Sequence, residues 1–569
     1  MKKHYINFLK QYLLIVCALF FIISCSDGIL EEIPKDFLTP NNSFNTEEGV
    51  RQGIAGLHYE VRESFYNMKQ FTTMLTYRGL GADIGYFGED PGTNRYLVDY
   101  VTYLTPSSKE VTDNWDTGFR TIARANLLIE SINNADEKKF IQETKNAYLA
   151  EARFFRAWSY RHLVSTYGDI PLLTEPVKAA KTDFKRDPVA EIHKLMVEDF
   201  KFGTENLPAP GSEASPGRVT QGVAWHYLAE TYLEQKNHQL AVDAATRVVE
   251  DYNYGLMTER FGTRLDNDVF GAGDPFYDLY GYKNHNLSEN TEAMWVIQIE
   301  PFITGGSQNG SGYIFGPSYF RLGNTPDGFP AILGTIYDGK YTGYNDTLSR
   351  PVATMRGTNY SYYDIWESDW NNDLRNAEHN IKRNFYYDNP ASAYHNMKID
   401  FSLYEPGTRN ALRDTNQYIF PWHSKFGDAC NYFEQPHRAG GGITHKDAYA
   451  LRFAETLLVR AEAYLGINRP DLAANDINKI RLRSKAKPVQ PENVTYDYIL
   501  DEYARELWCE HWRHVILRRM GKLVERTKLY NNNPIFPGAR IKEHNKLWPI
   551  PQTQIDLNID AEFPQNPGY

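Results

Sequence analysis

Cysteine is scarce in this chain, with four residues in 569. Cys17 and Cys25 lie near the N-terminus, which leaves only Cys430 and Cys509 in the body of the chain. At most one disulfide can therefore form there, so a disulfide framework is excluded as the basis of the fold. The fold must instead depend on an apolar core, and the chain is long enough to bury a large one.

The chain also lacks excess positive charge and long apolar runs. Its formal net charge is −11, which argues against a protein that binds nucleic acid through the phosphates. The apolar run at 12–23 is shorter than the ~20 residues that a membrane-spanning helix requires. No other run approaches that length, so the sequence predicts no membrane span.

The N-terminus has the pattern of a secretory signal, because three lysines are followed by the short apolar run. Cys25 stands at the end of that run, in an order that resembles a bacterial lipoprotein signal. We therefore expect removal of residues 1–24, lipidation of Cys25 and a tether at 25–44. The alternative is an ordinary secretory signal that happens to contain a cysteine. Two or more acyl chains on Cys25 would anchor the protein durably to a membrane.

Two distant segments share the spacing of a tetratricopeptide repeat, which is a pair of helices joined by a turn. In the segment 224–250, the small Ala229 and Ala241 allow close helix approach while larger apolar residues fill the groove. A shift of 232 residues reproduces these offsets at Leu457, Ala461, Tyr464, Ala473, Ile477 and Ile480. Because such repeats stack to bury their faces, we expect both in one body. The alternative is two unrelated amphipathic hairpins.

Helical periodicity is strong on both sides of a long irregular stretch that is rich in Gly, Asn, Asp, Tyr and Trp. The sequence therefore predicts a mainly α fold, with a tetratricopeptide-like scaffold and a large loop-rich, aromatic-rich insertion containing a few short strands. We expect an N-terminal helical region at 45–252 and a C-terminal region at 253–569. The C-terminal region divides into a variable ligand-binding insertion at 253–445 and helices with an extended tail at 446–569.

Stretches along nearly the whole chain resemble the SusD/RagB family of outer-membrane lipoproteins of Bacteroidota. They are CSDGILEEIPKDFLTP (25–40), YGDIPLLTEPV (167–177), GRVTQGVAWHYLAETYL (217–233), LRFAETLLVRAEAYL (451–465), INKIRLRS (477–484), ARELWCEHWRHVILRR (504–519) and PIPQTQIDLNIDAEFPQNPGY (549–569). The resemblance implies a non-enzymatic lid on a TonB-dependent SusC-like transporter that captures nutrient oligomers. Most members take glycans, and the RagB branch takes peptides. The resemblance also implies export to the outer face, because Asp27, Glu31 and Glu32 resemble the family's export signals.

Glycan capture requires flat aromatic faces and polar partners for the hydroxyl groups. Two stretches offer that mixture, and the family's starch-binding member has an aromatic platform in the loop that corresponds to the first. Our candidates at 78–100 are Arg78, Asp83, Tyr86, Phe87, Asn94 and Tyr96, and those at 337–375 are Tyr341, Tyr344, Trp366 and Trp370. The alternative is that these residues only hold their loops in place.

Other functional classes have weaker support in the sequence. A glycosidase would require a placed pair of carboxylates, for which Glu367, Asp369 and Asp373 are the available acids. His511 and His514 share a helix face without a third ligand, so we expect a surface ion network there and no metal. No cofactor is expected. The leading prediction is oligosaccharide capture for a SusC-like transporter, and the alternatives are an oligopeptide receptor or a tetratricopeptide scaffold for protein assembly.

Overall fold

A computed structural model describes residues 44, 46–67, 71–88, 97–135, 141–265, 272–300, 303–337, 339–427 and 444–569. Of the residues discussed above, those outside the described residues are Cys17, Cys25, Asp27, Glu31, Glu32, Asn94, Tyr96 and Cys430. About half of the chain is helical and the strands are short, so the prediction of a mainly α, tetratricopeptide-type fold is confirmed.

The helices occupy both flanks of the insertion and are short within it. The N-terminal helices are α1 (Glu47–Phe65), α2 (Phe71–Arg78), α3 (Tyr100–Tyr103), α4 (Lys109–Asn134), α5 (Gln142–Tyr167), α6 (Val189–Asn206), α7 (Gln221–Glu234) and α8 (His238–Asp251). The insertion contains α9 (Pro275–Leu279), α10 (Ser311–Ile314), α11 (Asn359–Tyr362) and α12 (Ala411–Arg413). The C-terminal helices are α13 (Phe453–Gly466), α14 (Pro470–Arg483), α15 (Tyr496–Leu507), α16 (Arg513–Arg519), α17 (Leu523–Tyr530) and α18 (Gln552–Leu557).

The two repeat-like segments form helix hairpins that meet in one body. Helices α7 and α8 pair in the first hairpin, α13 and α14 pair in the second, and α8 packs against α13. Ala229 and Ala241 are fully buried between their helices, as the spacing predicts. Arg460 stands where the repeat pattern has a leucine, and its side chain is buried. Its Nε donates to Asp476 Oδ2 at 2.7 Å, so the buried charge has a partner.

The strands form four antiparallel pairs among the described residues. They are β1 (Gly85–Phe87) with β5 (Met355–Gly357), β2 (Ala293–Ile297) with β8 (Ala448–Arg452), β3 (Ile336–Tyr337) with β4 (Lys340–Tyr341), and β6 (Ile381–Lys382) with β7 (Trp422–His423). Three of the pairs join segments that are far apart in sequence. The short strands therefore connect the insertion to itself and to the helical scaffold.

A buried network of charged side chains attaches the insertion to helix α15. Arg375 donates to Glu502 Oε1 at 2.8 Å and to Glu506 Oε2 at 3.0 Å, and all three side chains are fully buried. Arg452 of β8 donates to the other oxygen of Glu506 at 2.9 Å. Removal of one partner from such a pair leaves a buried charge uncompensated, so the network fixes the position of the insertion.

The segment HWRH does not form the single helix surface that its spacing predicts. Helix α15 ends at Leu507 and α16 begins at Arg513, with Cys509 in a left-handed conformation (φ 55°) between them. Both His511 and His514 are buried, and each ring bonds a backbone carbonyl, so the prediction of a surface ion network is wrong. Within the described ranges, no helix has the length and hydropathy required to cross a membrane.

Candidate functional site

The short sheet β1–β5 brings the two aromatic-rich stretches together. Gly85 lies opposite Gly357 in the antiparallel register, and Tyr86 lies opposite Arg356. Just beyond β5, the backbone N–H of Thr358 donates to the carbonyl oxygen of Ile84 at 3.2 Å. The segments that follow β1 and β5 therefore start from one place in the fold, although more than 250 residues separate them in sequence.

An exposed aromatic platform follows helix α11, and we define it as Tyr363, Trp370 and the guanidinium of Arg383. The two rings are nearly parallel, with centroids 6.3 Å apart and an interplanar angle of 15°. Tyr363 is 39% exposed and Trp370 is 41% exposed. The Cζ of Arg383 lies 4.7 Å from the centroid of the Trp370 ring, within the range of a cation–π contact. The platform therefore leaves part of both aromatic side chains open to solvent.

Buried contacts hold the 3₁₀ segment Asp364–Asp369 that supports the platform. The indole of Trp366 is buried and donates to the carbonyl of Ser361 at 3.1 Å. Asp369 accepts from Arg481 Nη2 at 2.7 Å and from the Lys487 backbone N–H at 3.0 Å. Burial opposes ionisation of Asp369, but these bonds outweigh it and hold the pKa of the carboxyl below its usual value. Because Asp369 directly precedes Trp370, the ring is carried on a fixed backbone.

Two further side chains, those of Asn376 and Arg383, hold the backbone that carries the rings. Asn376 Nδ2 donates to the carbonyl of Trp370 at 2.7 Å. The guanidinium of Arg383 donates to Asn376 Oδ1 at 2.6 Å and to the carbonyl of Tyr362 at 2.8 Å. Burial lowers the pKa of Arg383, although the nearby Tyr363 and Glu378 oppose the shift. A ligand would thus meet a preformed surface, since the groups behind it are already ordered.

Exposed polar residues are close to Trp370 in the sequence. Glu367, Asn371 and Asn372 are all exposed beside Trp370. They supply carboxylate acceptors and amide groups that both donate and accept hydrogen bonds. Aromatic faces combined with such groups suit a ligand that has apolar C–H faces and many hydroxyl groups.

The described candidates in the first stretch are buried within the protein. Arg78 lies with its Cζ 4.7 Å from the centroid of the Tyr66 ring, and Asp83 lies between two arginines of the C-terminal helices. Tyr86 and Phe87 are buried in β1, with 3% and 5% exposure. Ligand contact by these four residues stays a prediction, and their burial argues against it. Asn94 and Tyr96 lie outside the described residues.

The candidates in the second stretch separate into two groups. Tyr341 is exposed on the β3–β4 hairpin, and Tyr344 packs at the edge of a small apolar cluster that is separate from the main core. Trp366 is 1% exposed within the main core, whereas Trp370 is in the platform. Their roles in binding stay predictions. Tyr363 belongs to the second aromatic-rich stretch, but neither Tyr363 nor Arg383 is among the candidates chosen from the sequence. The position of Tyr363 seven residues before Trp370 is a sequence feature that can indicate a shared platform, whereas no local sequence pattern indicates Arg383.

Two of the three acids considered for a glycosidase are already paired with arginines. Asp373 is buried and bonds Arg375, and Asp369 is buried and bonds Arg481. Of the three acids that a glycosidase could use, only Glu367 is exposed. This arrangement favours a structural role for both aspartates, because each carboxylate already has a cationic partner.

His226, Glu230 and Glu455 form a buried group of possible metal ligands, with ligand atoms within 4.8 Å of one another. Glu230 already pairs with Arg161 at 2.6 Å and with Arg519 at 2.9 Å. These two guanidinium groups neutralise the carboxylate and repel a cation. We therefore do not assign a metal to this group.

The chain matches two family models over most of its length. The model described as "SusD family" matches residues 280–569, and the model described as "Starch-binding associating with outer membrane" matches residues 36–233. Among curated relatives, "SusD-like protein P25" of Formosa agariphila is 24% identical over 98% of this chain and 99% of its own length. The "Starch-binding protein SusD" of Bacteroides thetaiotaomicron is 23% identical over 74% of this chain and 72% of its own length.

Solved structures share the fold. A "Laminarin binding SusD-like protein" superposes with a TM-score of 0.63 at 18% identity, covering 92% of this chain and all of that one. "Surface glycan-binding protein A" of Bacteroides thetaiotaomicron, in complex with laminarihexaose, superposes with a TM-score of 0.64 at 17% identity. That match covers 92% of this chain and 99% of the other. At these identities the structural likeness shows the fold alone.

Proposed function

This chain belongs to the SusD family, and from that premise we propose that it is a cell-surface glycan-binding lipoprotein. It captures oligosaccharides and delivers them to a SusC-like TonB-dependent transporter in the outer membrane. Its relatives include proteins named for binding starch or laminarin, which supports carbohydrate as the ligand class. The observation that carries the proposal is the exposed platform of Tyr363 and Trp370, supported from below by buried side chains.

The platform binds a saccharide without covalent chemistry. The C–H face of a pyranose packs on the Trp370 and Tyr363 rings, while its hydroxyl groups bond Glu367 and Asn371. The pairing of Asp369 and Asp373 with arginines supports a binding protein over a hydrolase, because a glycosidase requires two available carboxyl groups. Activity would therefore consist of capture and release.

The lipid anchor and the transporter partner are part of this proposal. Cys25 lies outside the described residues, and its place after a short apolar run supports lipidation. One of the matching family models is described as associating with the outer membrane, which supports the proposed location. A tethered capture protein needs a partner that moves its ligand across the membrane, and a TonB-dependent transporter of the SusC type fulfils that role in the family that this chain resembles.

Calorimetry with a panel of oligosaccharides that includes laminarihexaose and maltoheptaose tests the ligand class and the platform together. We expect at least one glycan to bind, and Trp370→Ala to weaken its binding by at least tenfold, since truncation of a central aromatic typically costs about 2 kcal/mol. Because Trp370 is exposed, the unfolding temperature of the Trp370→Ala variant should stay close to that of the wild type. The matched control is Tyr59→Ala, which removes an exposed aromatic from α1 and should leave the affinity unchanged.

Three results would contradict the proposal in different ways. Saturable binding of peptides, with no heat from any glycan, would favour an oligopeptide receptor. Equal glycan affinity in the wild type and in Trp370→Ala would place the binding site elsewhere on the protein. Release of free sugar from a bound glycan by the pure protein would contradict the proposal that the protein is not an enzyme.

A further inference from the structure

A polar cavity of about 580 Å³ lies between the first helix hairpin and the start of β2. We call it the Tyr254 cavity and define it by three segments: the connector 210–218, the segment 251–254 after helix α8, and the segment 285–296 that leads into β2. Its volume is within the range of small-molecule binding sites. It shares no residue with the platform of Tyr363, Trp370 and Arg383.

Two tyrosine rings in this cavity are held in fixed positions. The hydroxyl of Tyr252 donates to Gln221 Oε1 at 3.1 Å. The hydroxyl of Tyr254 lies 3.3 Å from Thr220 Oγ1, and its ring stacks on Phe453 with centroids 6.3 Å apart. The cavity therefore has preordered aromatic walls.

Several polar atoms around the cavity have no hydrogen-bond partner in the described structure. They are His285 Nδ1, Asn290 Oδ1 and Glu213 Oε2, and all three are buried atoms. His285 is 1% exposed and Asn290 is 5% exposed, so bulk water does not satisfy them. A buried polar atom without a partner costs ~1–3 kcal/mol, and such atoms are rare in native proteins. These three atoms are themselves inaccessible to solvent, so a ligand in the cavity would bond the exposed groups of its rim.

The charges around the cavity favour a neutral ligand over an anionic one. Glu213 and Asp251 are acidic, and Arg218 is the basic residue of the lining. The guanidinium of Arg218 is already committed, because its Nε donates to Glu151 Oε1 at 2.7 Å. The imidazole of His285 is neutral, because burial, together with nearby Lys446 and Arg264, lowers its pKa well below the usual value. No free cation therefore faces the cavity among the residues that line it.

The exposed rim adds groups that suit hydroxyl recognition. Asn253 and Ser288 are both exposed and line the cavity. An amide and a hydroxyl can each donate and accept, and Glu213 adds a carboxylate acceptor. Aromatic walls, several acceptors and the absence of a free cation match a neutral polyhydroxylated molecule.

We propose that the Tyr254 cavity is a second saccharide-binding site of this protein. The ligand class rests on the proposed function, whereas the location rests on the cavity, its exposed polar rim and the fixed tyrosine rings. A second site would hold a second glycan chain while the platform is occupied.

Hydrogen–deuterium exchange with laminarihexaose and with maltoheptaose locates binding directly. We expect at least one of these glucans to slow exchange in peptides covering 251–255 and 284–291, in addition to peptides covering 359–372. Protection at 359–372 alone would overturn the second site and leave the platform in place. Protection at the cavity alone would support the second site and overturn the platform. The absence of protection at both places, with both glucans, would overturn both proposals.

Variants of the cavity provide the second readout. Ser288→Trp fills the rim from an exposed position, and Glu213→Gln removes the carboxylate while retaining its shape. We expect each to reduce the protection at 251–255 and to raise the dissociation constant of that site about fivefold or more. The matched control is Glu205→Gln, which changes an exposed glutamate on α6 outside the cavity.

A Trp370→Ala background separates the two sites. In that background, cavity protection by the glucan should persist and should be lost when Ser288→Trp is added. Loss of cavity protection with Trp370→Ala alone, or unchanged protection in Ser288→Trp and Glu213→Gln, would overturn the proposal.

Discussion

At the scale of single residues, Asp83 shows how a binding candidate in the sequence can be a structural residue in the fold. Arg513 Nε donates to Asp83 Oδ1 at 2.9 Å, and Arg526 Nε donates to Oδ2 at 2.9 Å. The aspartate is fully buried. Burial alone would raise the pKa of Asp83, but the two guanidinium groups prevail and hold it well below its usual value. The contact joins the first aromatic-rich stretch to helices α16 and α17.

Replacement of Asp83 by asparagine should destabilise the protein by about 3–5 kcal/mol, because two buried arginines would lose their common counter-charge. Urea unfolding measures this loss. The matched control is Asp243→Asn on the exposed face of α8, where we expect a change below about 0.5 kcal/mol. Equal effects of the two substitutions would contradict the structural role of Asp83. Since the folded pKa lies below the unfolded value of about 3.9, this stabilisation should be complete above that pH and decline in stronger acid.

Glu455 is a buried carboxyl group whose charge state opposes stability at high pH. Burial raises the pKa of Glu455 to about 8. The neighbouring Glu230 carboxylate adds to this rise, whereas Arg161 and Arg519 oppose it. An unfolded glutamate releases its proton near pH 4.3, so the folded state binds more protons between that value and pH 8. The contribution of this group therefore makes the protein less stable as the pH rises through that range.

Glu455→Gln should remove this contribution, because the amide does not titrate. From pH 5 to pH 8, the free energy of unfolding should fall in both proteins. We expect the fall to be about 1–2 kcal/mol smaller in the variant than in the wild type. Urea unfolding at a series of pH values provides the comparison, with Glu205→Gln as an exposed control that should follow the wild type. Parallel stability curves for Glu455→Gln and the wild type would show that Glu455 ionises normally in the folded protein.

At the scale of elements, helices α4 and α5 are close at one glycine. A Cβ atom built on Gly118 of α4 would lie 2.6 Å from Leu163 Cγ of α5. Glycine at this place is therefore required by packing, although it lowers helix propensity. Gly56 of α1 provides a matched contrast, because a Cβ atom there would have no neighbour within 4 Å.

Gly118→Ala and Gly56→Ala should consequently change stability in opposite directions. We expect Gly118→Ala to destabilise by about 1–3 kcal/mol through overpacking. Gly56→Ala should stabilise by about 0.5–1 kcal/mol, since alanine is the better helix former. Thermal and urea unfolding of both variants measure the two changes. A stabilising effect of Gly118→Ala would show that α4 and α5 can move apart without loss of stability.

The elements also show where sequence periodicity stops being informative. The hairpins α7–α8 and α13–α14 follow directly from apolar spacing. The spacing equally predicts one helix from 497 to 528, yet the chain is interrupted between α15 and α16. Glu510 lies in that interruption and bonds Arg452 and Lys425, which belong to other parts of the chain. Long-range ion pairs override the local helical preference there.

At the scale of the whole molecule, the proposed lipid anchor decides where capture occurs. Cys25→Ser removes the thiol that would carry the acyl chains. We expect the variant to appear in the soluble fraction of cells, whereas the wild type sediments with outer membranes. Fractionation and immunoblotting measure the distribution, and a Cys17→Ser variant should remain with the membranes. Persistent surface display of Cys25→Ser on intact cells would contradict the lipid anchor.

The sequence by itself determined the helical scaffold, the position of the irregular insertion and the family resemblance, because apolar spacing and motif order are local properties of the chain. Only the tertiary structure decided which polar and aromatic residues are available to a ligand. Asp369 and Arg481 are 112 residues apart, and their contact fixes the backbone that presents Trp370. Trp366 and Trp370 stand four residues apart in the same motif, yet one is buried and the other exposed. Such distinctions depend on contacts between distant segments, so no local pattern contains them.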